Sequence, residues 1–216
     1  MTEIIKLNNI NYTVNDTKIL KDINLTINEG DYLTFSGTSG SGKSTLMKLV
    51  ADMISPTSGE ILYRNKNIDD YEATDYRKQV SYCFQQPTLF GETVFDNLAF
   101  PFKVREQEPD SELMVQKLKL ANLDESFLNQ KVIDLSGGQK QRIALLRNLI
   151  FTPDVLILDE VTTGLDKTNK NIIHSLVMDL NKNEGITILA ITHDQEELDD
   201  SRKIIKVEDG RIVEDK

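Results

Sequence analysis

Tyr32-Leu33-Thr34-Phe35-Ser36-Gly37-Thr38-Ser39-Gly40-Ser41-Gly42-Lys43-Ser44 decides the fold of this chain. An apolar run, read as a strand, feeds a glycine loop with the spacing Gly-x4-Gly-Lys-Ser, and Ser44 to Met53 reads as the helix behind it. In that context the glycines let backbone N–H groups turn inward on phosphate oxygens. Lys43 then reaches the terminal phosphates, and Ser44 can hold Mg2+. The plainer reading is an ordinary glycine turn before a helix; spacing and context together favour the phosphate loop.

Working outward, residues 4 to 35 alternate in the manner of strands. Ile10, Tyr12 and Val14 are expected on one face and Ile23, Leu25 and Ile27 on another, with a turn at Asn28-Glu29-Gly30-Asp31. Glu60 to Tyr63 and Val80 to Phe84 read as further strands. Val155 to Leu158 and Ile186 to Ile191 are apolar, β-rich runs of the kind buried on both faces of a parallel sheet. Lys203 to Val213 reads as a hairpin around Asp209-Gly210. Pro87, Gly91, Pro101 and Pro109 punctuate what reads as a connecting segment, after which Asp110 or Ser111 caps a helix running to about Leu120. A helix after Ser136 would place Ile143, Leu146 and Ile150 on one face. The pattern predicts a single α/β domain over 1–216: a core from 1–85 and 151–216 with an N-terminal antiparallel β part, and a helical subdomain at 86–150.

Composition narrows the class. A formal net charge of −10 argues against a nucleic-acid partner. The single cysteine, Cys83, allows no internal disulfide and no cysteine-based metal cluster. Met1 to Lys6 lacks a signal-peptide apolar core, and no apolar run approaches the roughly 20 residues that span a bilayer. The chain therefore reads as cytoplasmic. The acidic run Asp194 to Asp200 reads as a solvated helix face.

Other residues carry chemistry in combination. Asp159 closes a buried strand and Glu160 follows it; one carboxylate can help hold Mg2+ while its neighbour activates water. Alone, such a pair is as readily a loop start or helix cap. Leu135-Ser136-Gly137-Gly138-Gln139 precedes a helix, where free N–H groups and the helix dipole can meet an anion, or where the serine is a simple cap. His193 follows the run Ile186 to Ile191, at a strand end where α/β sites cluster. Gln85 and Tyr12 carry little signal by themselves; Tyr12 is either an adenine-stacking ring or a half-buried strand residue.

Taken together, these motifs resemble, over the whole chain and in family order, the nucleotide-binding subunit of an ABC transporter with its RecA-like P-loop core. That resemblance implies ATP and Mg2+. It makes Tyr12 the adenine-stacking position and Gly37, Thr38, Ser39, Gly40, Ser41, Gly42, Lys43, Ser44 and Thr45 the nucleotide-binding loop. Gln85, Glu160 and His193 become catalytic, and Ser44, Gln85 and Asp159 become metal-contacting. Ser136, Gly137, Gly138 and Gln139 form the signature contacting ATP in trans, and Asp166 belongs to the dimer-interface loop. The partners implied are a second copy and a multi-span membrane permease, with the chain peripheral on the inner face of the membrane. The approach to Asp166 reads Val161-Thr162-Thr163-Gly164-Leu165, where the family often has Pro and Ser-Ala. The stretches Val80 to Gly91 and Val94 to Pro101, with Arg147-Asn148-Leu149, are similar to the ATPase subunit of bacterial iron exporters. Leu89, Phe90, Phe95, Leu98 and Phe100 are expected either to form a docking cleft or to belong to the core. A soluble ABC ATPase acting in cofactor assembly is the alternative.

Overall fold

The structure is a computed structural model and describes residues 2–199, 201 and 203–213. Met1, and Asp200 at the end of the acidic run, lie outside the described residues.

The chain begins with a hairpin of β1 (Glu3–Val14) and β2 (Thr17–Asn28). Together with β4 (Ser58–Tyr63) and β5 (Lys66–Asn67) these form an antiparallel sheet of order β2-β1-β4-β5. Alternation along β1 and β2 is interrupted where Asn9 and Asp22 adopt φ of 51° and 55°. Side chains replace ladder partners there: Asn9 N donates to Asn24 Oδ1 at 2.9 Å and Asp22 N to Asn11 Oδ1 at 3.0 Å. Ile10 and Ile23, opposite each other, both stay in the core, whereas Val14 ends exposed and Tyr12 half-buried.

The second sheet has the order β10-β9-β3-β8-β7-β6. It comprises β3 (Tyr32–Ser36), β6 (Val80–Cys83), β7 (Val155–Asp159), β8 (Thr187–Ile191), β9 (Ile204–Glu208) and β10 (Arg211–Val213). Every pairing is parallel except that of β10 with β9. All residues of β7 and β8 are buried. Their side chains alternate between two cores. Val155, Ile157, Leu189 and Ile191 join the antiparallel sheet and α1 (Lys43–Val50) in one cluster. Leu156, Leu158, Ile188 and Ala190 join the helices of the opposite face in another.

Those helices are α3 (Val94–Lys103), α4 (Ser111–Leu120), α5 (Gly137–Leu149) and α6 (Lys167–Glu184); α2 (Ala73–Gln79) and α7 (Gln195–Asp199) are shorter. Asp110 caps α4 with bonds from Glu112 N and Leu113 N. Ile143, Leu146 and Ile150 are buried.

Two differences from the sequence reading have physical causes. The proline-punctuated segment contains α3, because Thr93 and Asp96 close a capping box at its start. Pro101 falls in the last turn, where it removes a single ladder bond. The pattern over 167–184 was not assigned to an element, yet α6 forms there with Asp166 as cap, Gly185 as left-handed stop, and Ile173, Leu176, Val177 and Leu180 buried at helical spacing.

The apolar residues around α3 divide. Leu98 is fully buried and so is not a docking residue; Leu89 and Phe95 pack partly against the second core. Phe90 and Phe100 are exposed and meet edge to face with centroids 5.0 Å apart. Leu98→Ala is therefore expected to cost about 2–5 kcal/mol through the cavity it leaves, and Phe100→Ala about 1 kcal/mol or less. Urea unfolding of the two variants against the parent checks the contrast.

Candidate functional site

The parallel pairing brings the carboxyl ends of β3, β6, β7 and β8 to one edge of the sheet, where α/β proteins place their ligands. After β3 the glycine loop lies against β9. Gly37 has φ of 136°, and a Cβ there would stand 2.1 Å from the carbonyl oxygen of Val207. Gly210 N donates to Ser41 O at 3.1 Å, fixing the loop's far side. Gly42, with φ of 106°, opens α1 and packs against Leu20. Tyr12 sits opposite Leu20 on β1, one side chain away from the loop. Thr45 is half-buried in the first turn of α1.

Lys43 is buried, and its Nζ donates to the carbonyls of Gly37 and Thr38, both at 2.9 Å. Burial lowers its pKa, against the opposing pull of Glu160 and Asp159. Ser41 Oγ is buried with no hydrogen-bond partner among the described residues. Gly40 faces open space. A cation held over the loop, an orphaned hydroxyl and room beside the backbone fit a phosphate chain.

Across from Lys43, Ser44 Oγ donates to Asp159 Oδ1 at 2.9 Å, and Tyr82 OH donates to Asp159 Oδ2 at 2.5 Å. Hard oxygen donors of this kind suit Mg2+ shared with phosphate oxygens. No group of three His, Cys, Asp or Glu among the described residues could hold a metal by itself. Ser44 and Asp159 therefore fit the metal only in company with a nucleotide.

Glu160 begins the next turn with φ of 51°, its N–H donating to Ile191 O at 3.1 Å. Its Oε2 accepts from Gln85 Nε2 at 3.0 Å, and its Oε1 lies 3.1 Å from His193 Nε2. The structure thus brings together Gln85, Glu160 and His193, which lie far apart in the chain. His193 is flanked by Asp194, which is paired with Lys170 of α6 and whose pKa that bond lowers.

The segment Ser136 to Gln139 makes no hydrogen bond to Gln85, Glu160 or His193 among the described residues, and its side-chain bonds close on themselves. Ser136 N donates to Gln139 Oε1 at 2.8 Å and Gln139 N to Ser136 Oγ at 3.3 Å, closing a capping box on α5. Gly137 is exposed with nothing within 4 Å of a built Cβ. Gly138 is buried under Asn169, whose side-chain atoms would stand 2.4–2.6 Å from a Cβ. Asn169 in turn donates to Asp166 through N at 2.9 Å and Nδ2 at 2.6 Å, holding that carboxyl below its ordinary pKa.

Sequence reasoning missed Tyr82, Asn169 and Arg142, the last buried and bonded to the carbonyls of Ala121 and Gly138. Only Tyr82 left a signal: a phenol inside a buried strand needs a partner.

A family model described as ABC transporter matches residues 20–163. The chain is 42% identical over 205 residues to the probable iron export ATP-binding protein FetA of Escherichia coli, covering 95% of this chain and 91% of that protein. It is also 42% identical over 216 residues to the spermidine/putrescine import ATP-binding protein PotA of Spiroplasma citri, covering 98% of this chain but 61% of that longer relative. A solved dimeric ATP-binding cassette in a post-hydrolysis state, bound to ADP and Pi, superposes with a TM-score of 0.87 at 31% identity, covering 99% of this chain and 98% of that one. A bacterial Atm1-family ABC exporter with ATP bound matches with a TM-score of 0.87 at 26% identity, covering 99% of this chain and 38% of that one.

Gly37→Ala is expected to force the loop away from Val207, with strain on the order of 1–3 kcal/mol. Equilibrium binding of a fluorescent ATP analogue should weaken accordingly; parental affinity would show that the loop's seat against β9 does not shape the nucleotide site.

Proposed function

This chain belongs to the ABC transporter family, an ATP-binding ATPase subunit by that membership, and on that premise we propose that two copies close over two Mg-ATP and drive a separate permease exporting metal ions, iron above all. The observation that carries the catalytic part is the Glu160 carboxylate, held between the Gln85 amide and the His193 ring beside the Ser44–Asp159 pair.

In this reading Lys43 and the loop N–H groups bind the phosphates, and Ser44 and Asp159 hold Mg2+. Bound there, Mg2+ supplies charge neutralisation of the phosphate oxygens. Glu160 orients the attacking water and takes its proton at a carboxylate oxygen. His193 steadies that carboxylate and the terminal phosphate, and Gln85 links the site to the loop after β6. Ser136, Gly137, Gly138 and Gln139, with Asp166, meet the nucleotide of the second copy; Gly137 is open on the surface as such an approach requires. Tyr12 stacks on adenine.

No helix among the described residues is long and apolar enough to cross a membrane; in this reading the permease supplies the spans and this subunit sits on the inner face. A groove of about 250 Å³ between α2, α3 and α5 is suited to that partner, lined by Phe100, Pro101, Val104, Arg105, Arg147 and Phe151 among others. Cargo rests on similarity. Identity to the iron and polyamine relatives is equal at 42%, but the iron-export relative is the one that the chain covers almost end to end.

Glu160→Gln should lower the ATP turnover rate by about a hundredfold or more while leaving ATP binding intact. Turnover at the parental rate would remove Glu160 from its role. For the cargo, the subunit is reconstituted in proteoliposomes with the membrane protein that co-purifies with it. ATP-dependent movement of Fe2+ and not of spermidine is expected; the reverse selectivity would overturn the iron assignment.

A further inference from the structure

Tyr82 supplies a hydroxyl to this site, a group given no role from the sequence alone. It lies third in β6, opposite Ile157 of β7, and its ring packs on Phe84 with centroids 4.8 Å apart. Its hydroxyl donates to Asp159 Oδ2 at 2.5 Å while Ser44 Oγ donates to Oδ1 at 2.9 Å. The two carboxylate oxygens are therefore held from two different elements, β6 and α1. The carboxylate oxygen can only accept, so in this bond the phenol is the donor.

The terminal torsion of an aspartate is broad and nearly two-fold, so a single bond does not fix which oxygen faces where. Ser44 Oγ can turn a lone pair to a metal while its O–H still donates to Oδ1, so the Tyr82 bond is what holds the second oxygen as Ser44 shifts. Tyr82 also sits two covalent steps before Phe84-Gln85, on the strand that leads into the glutamine loop. Its neighbour Ser81 faces the other way along the strand, donates to Asn148 Oδ1 at 2.9 Å, and lines the groove between α2, α3 and α5. Adjacent residues of one short strand thus touch the groove and the Asp159 carboxylate.

Resting on the ATPase reading above, we propose that Tyr82 is a positioning residue: its hydroxyl fixes the Asp159 carboxylate for Mg2+ and ties it to the strand between the groove and Gln85. A partner that moves β6 from the groove side thereby changes the aim of the metal-holding oxygen. A ring that merely filled the core would not need its hydroxyl.

The test uses the full chain and a fluorescent ATP analogue, titrated with Mg2+ and measured separately in EDTA. In Tyr82→Phe the Mg2+ concentration at half-saturation should rise about tenfold, the scale of a lost hydrogen bond to a charged group. Metal-free nucleotide binding and the melting temperature should stay near the parent's. In an Asp159→Asn background the same substitution should add nothing, because its route of action is gone. An unchanged Mg2+ requirement in Tyr82→Phe, an equal loss in EDTA, or full additivity with Asp159→Asn each overturns the proposal. Should Tyr82→Phe not fold, Tyr82→Met carries the same expectation; failure of both to fold would make the hydroxyl a stability element and overturn positioning. A parent with no Mg2+-dependent nucleotide binding would sink the ATPase reading itself, an outcome separate from any behaviour of the variants.

Discussion

Parallel strand pairing under two apolar layers is the constraint on which the site depends. A strand buried on both faces satisfies its N–H and C=O groups only through neighbours on either side, and parallel neighbours must be joined by crossovers. β3, β6, β7 and β8 therefore all finish on the same edge. The ladder then sets distances. Cys83 pairs with Leu158 and Asp159 with Ile191. Gln85 and His193, each two residues past such a rung, approach Glu160 from opposite sides. The bond from Glu160 N to Ile191 O extends the ladder one step and anchors the turn from which the carboxylate reaches both partners.

The buried strands were legible because fully apolar runs such as Val155 to Leu158 have few alternatives, and the glycine loop because its spacing has a single structural use. Much of what failed depended on contacts distant in sequence, whereas the cap of α3 and the whole of α6 carried local signals that were passed over. Leu98 and Phe100 are alike on paper, but only the packing of α3 on α5 decides that one is core and the other surface. Pro101 argued locally against helix, and the Thr93–Asp96 capping box, with burial of Val94, Leu98 and Phe102, outweighed it. Asn9 and Asp22 broke the two-residue period through side-chain bonds to the opposite strand, which alternation cannot anticipate. At the site, Gln85 carried almost no signal alone; its bond to Glu160 exists only because β6 and β7 are neighbours.

Electrostatics explains how a chain of net charge −10 accommodates a polyanion beside two carboxylates. Lys43 is set within the loop rather than beside it. An ammonium has three donors, and Lys43 directs two at the carbonyls of Gly37 and Thr38. Those neutral acceptors hold the cation in place without cancelling its charge, so a phosphate oxygen needs no rival ion pair to be broken. Asp159 is likewise occupied by hydroxyls rather than by a basic side chain. Among the described residues no basic side chain competes there with a cation, as the Mg2+ role proposed for Asp159 needs.

The starts of α5 and α6 are held to each other by side-chain bonds and close packing. Gly138 is pressed under Asn169, Asn169 holds Asp166, and Arg142 fastens the Gly138 carbonyl from below. The start of α5 and the start of α6 are thus in contact through Gly138 and Asn169. Gly137 stays uncovered at the outer side of that joint, and Ile133, 82% exposed, stands just before it. Ile133 buries little of its side chain within one copy, and the capping box of Ser136 and Gln139 leaves the Gly137 backbone uncovered. The trans contact proposed for Ser136 to Gln139 needs this kind of uncovered backbone beside the Asp166 loop.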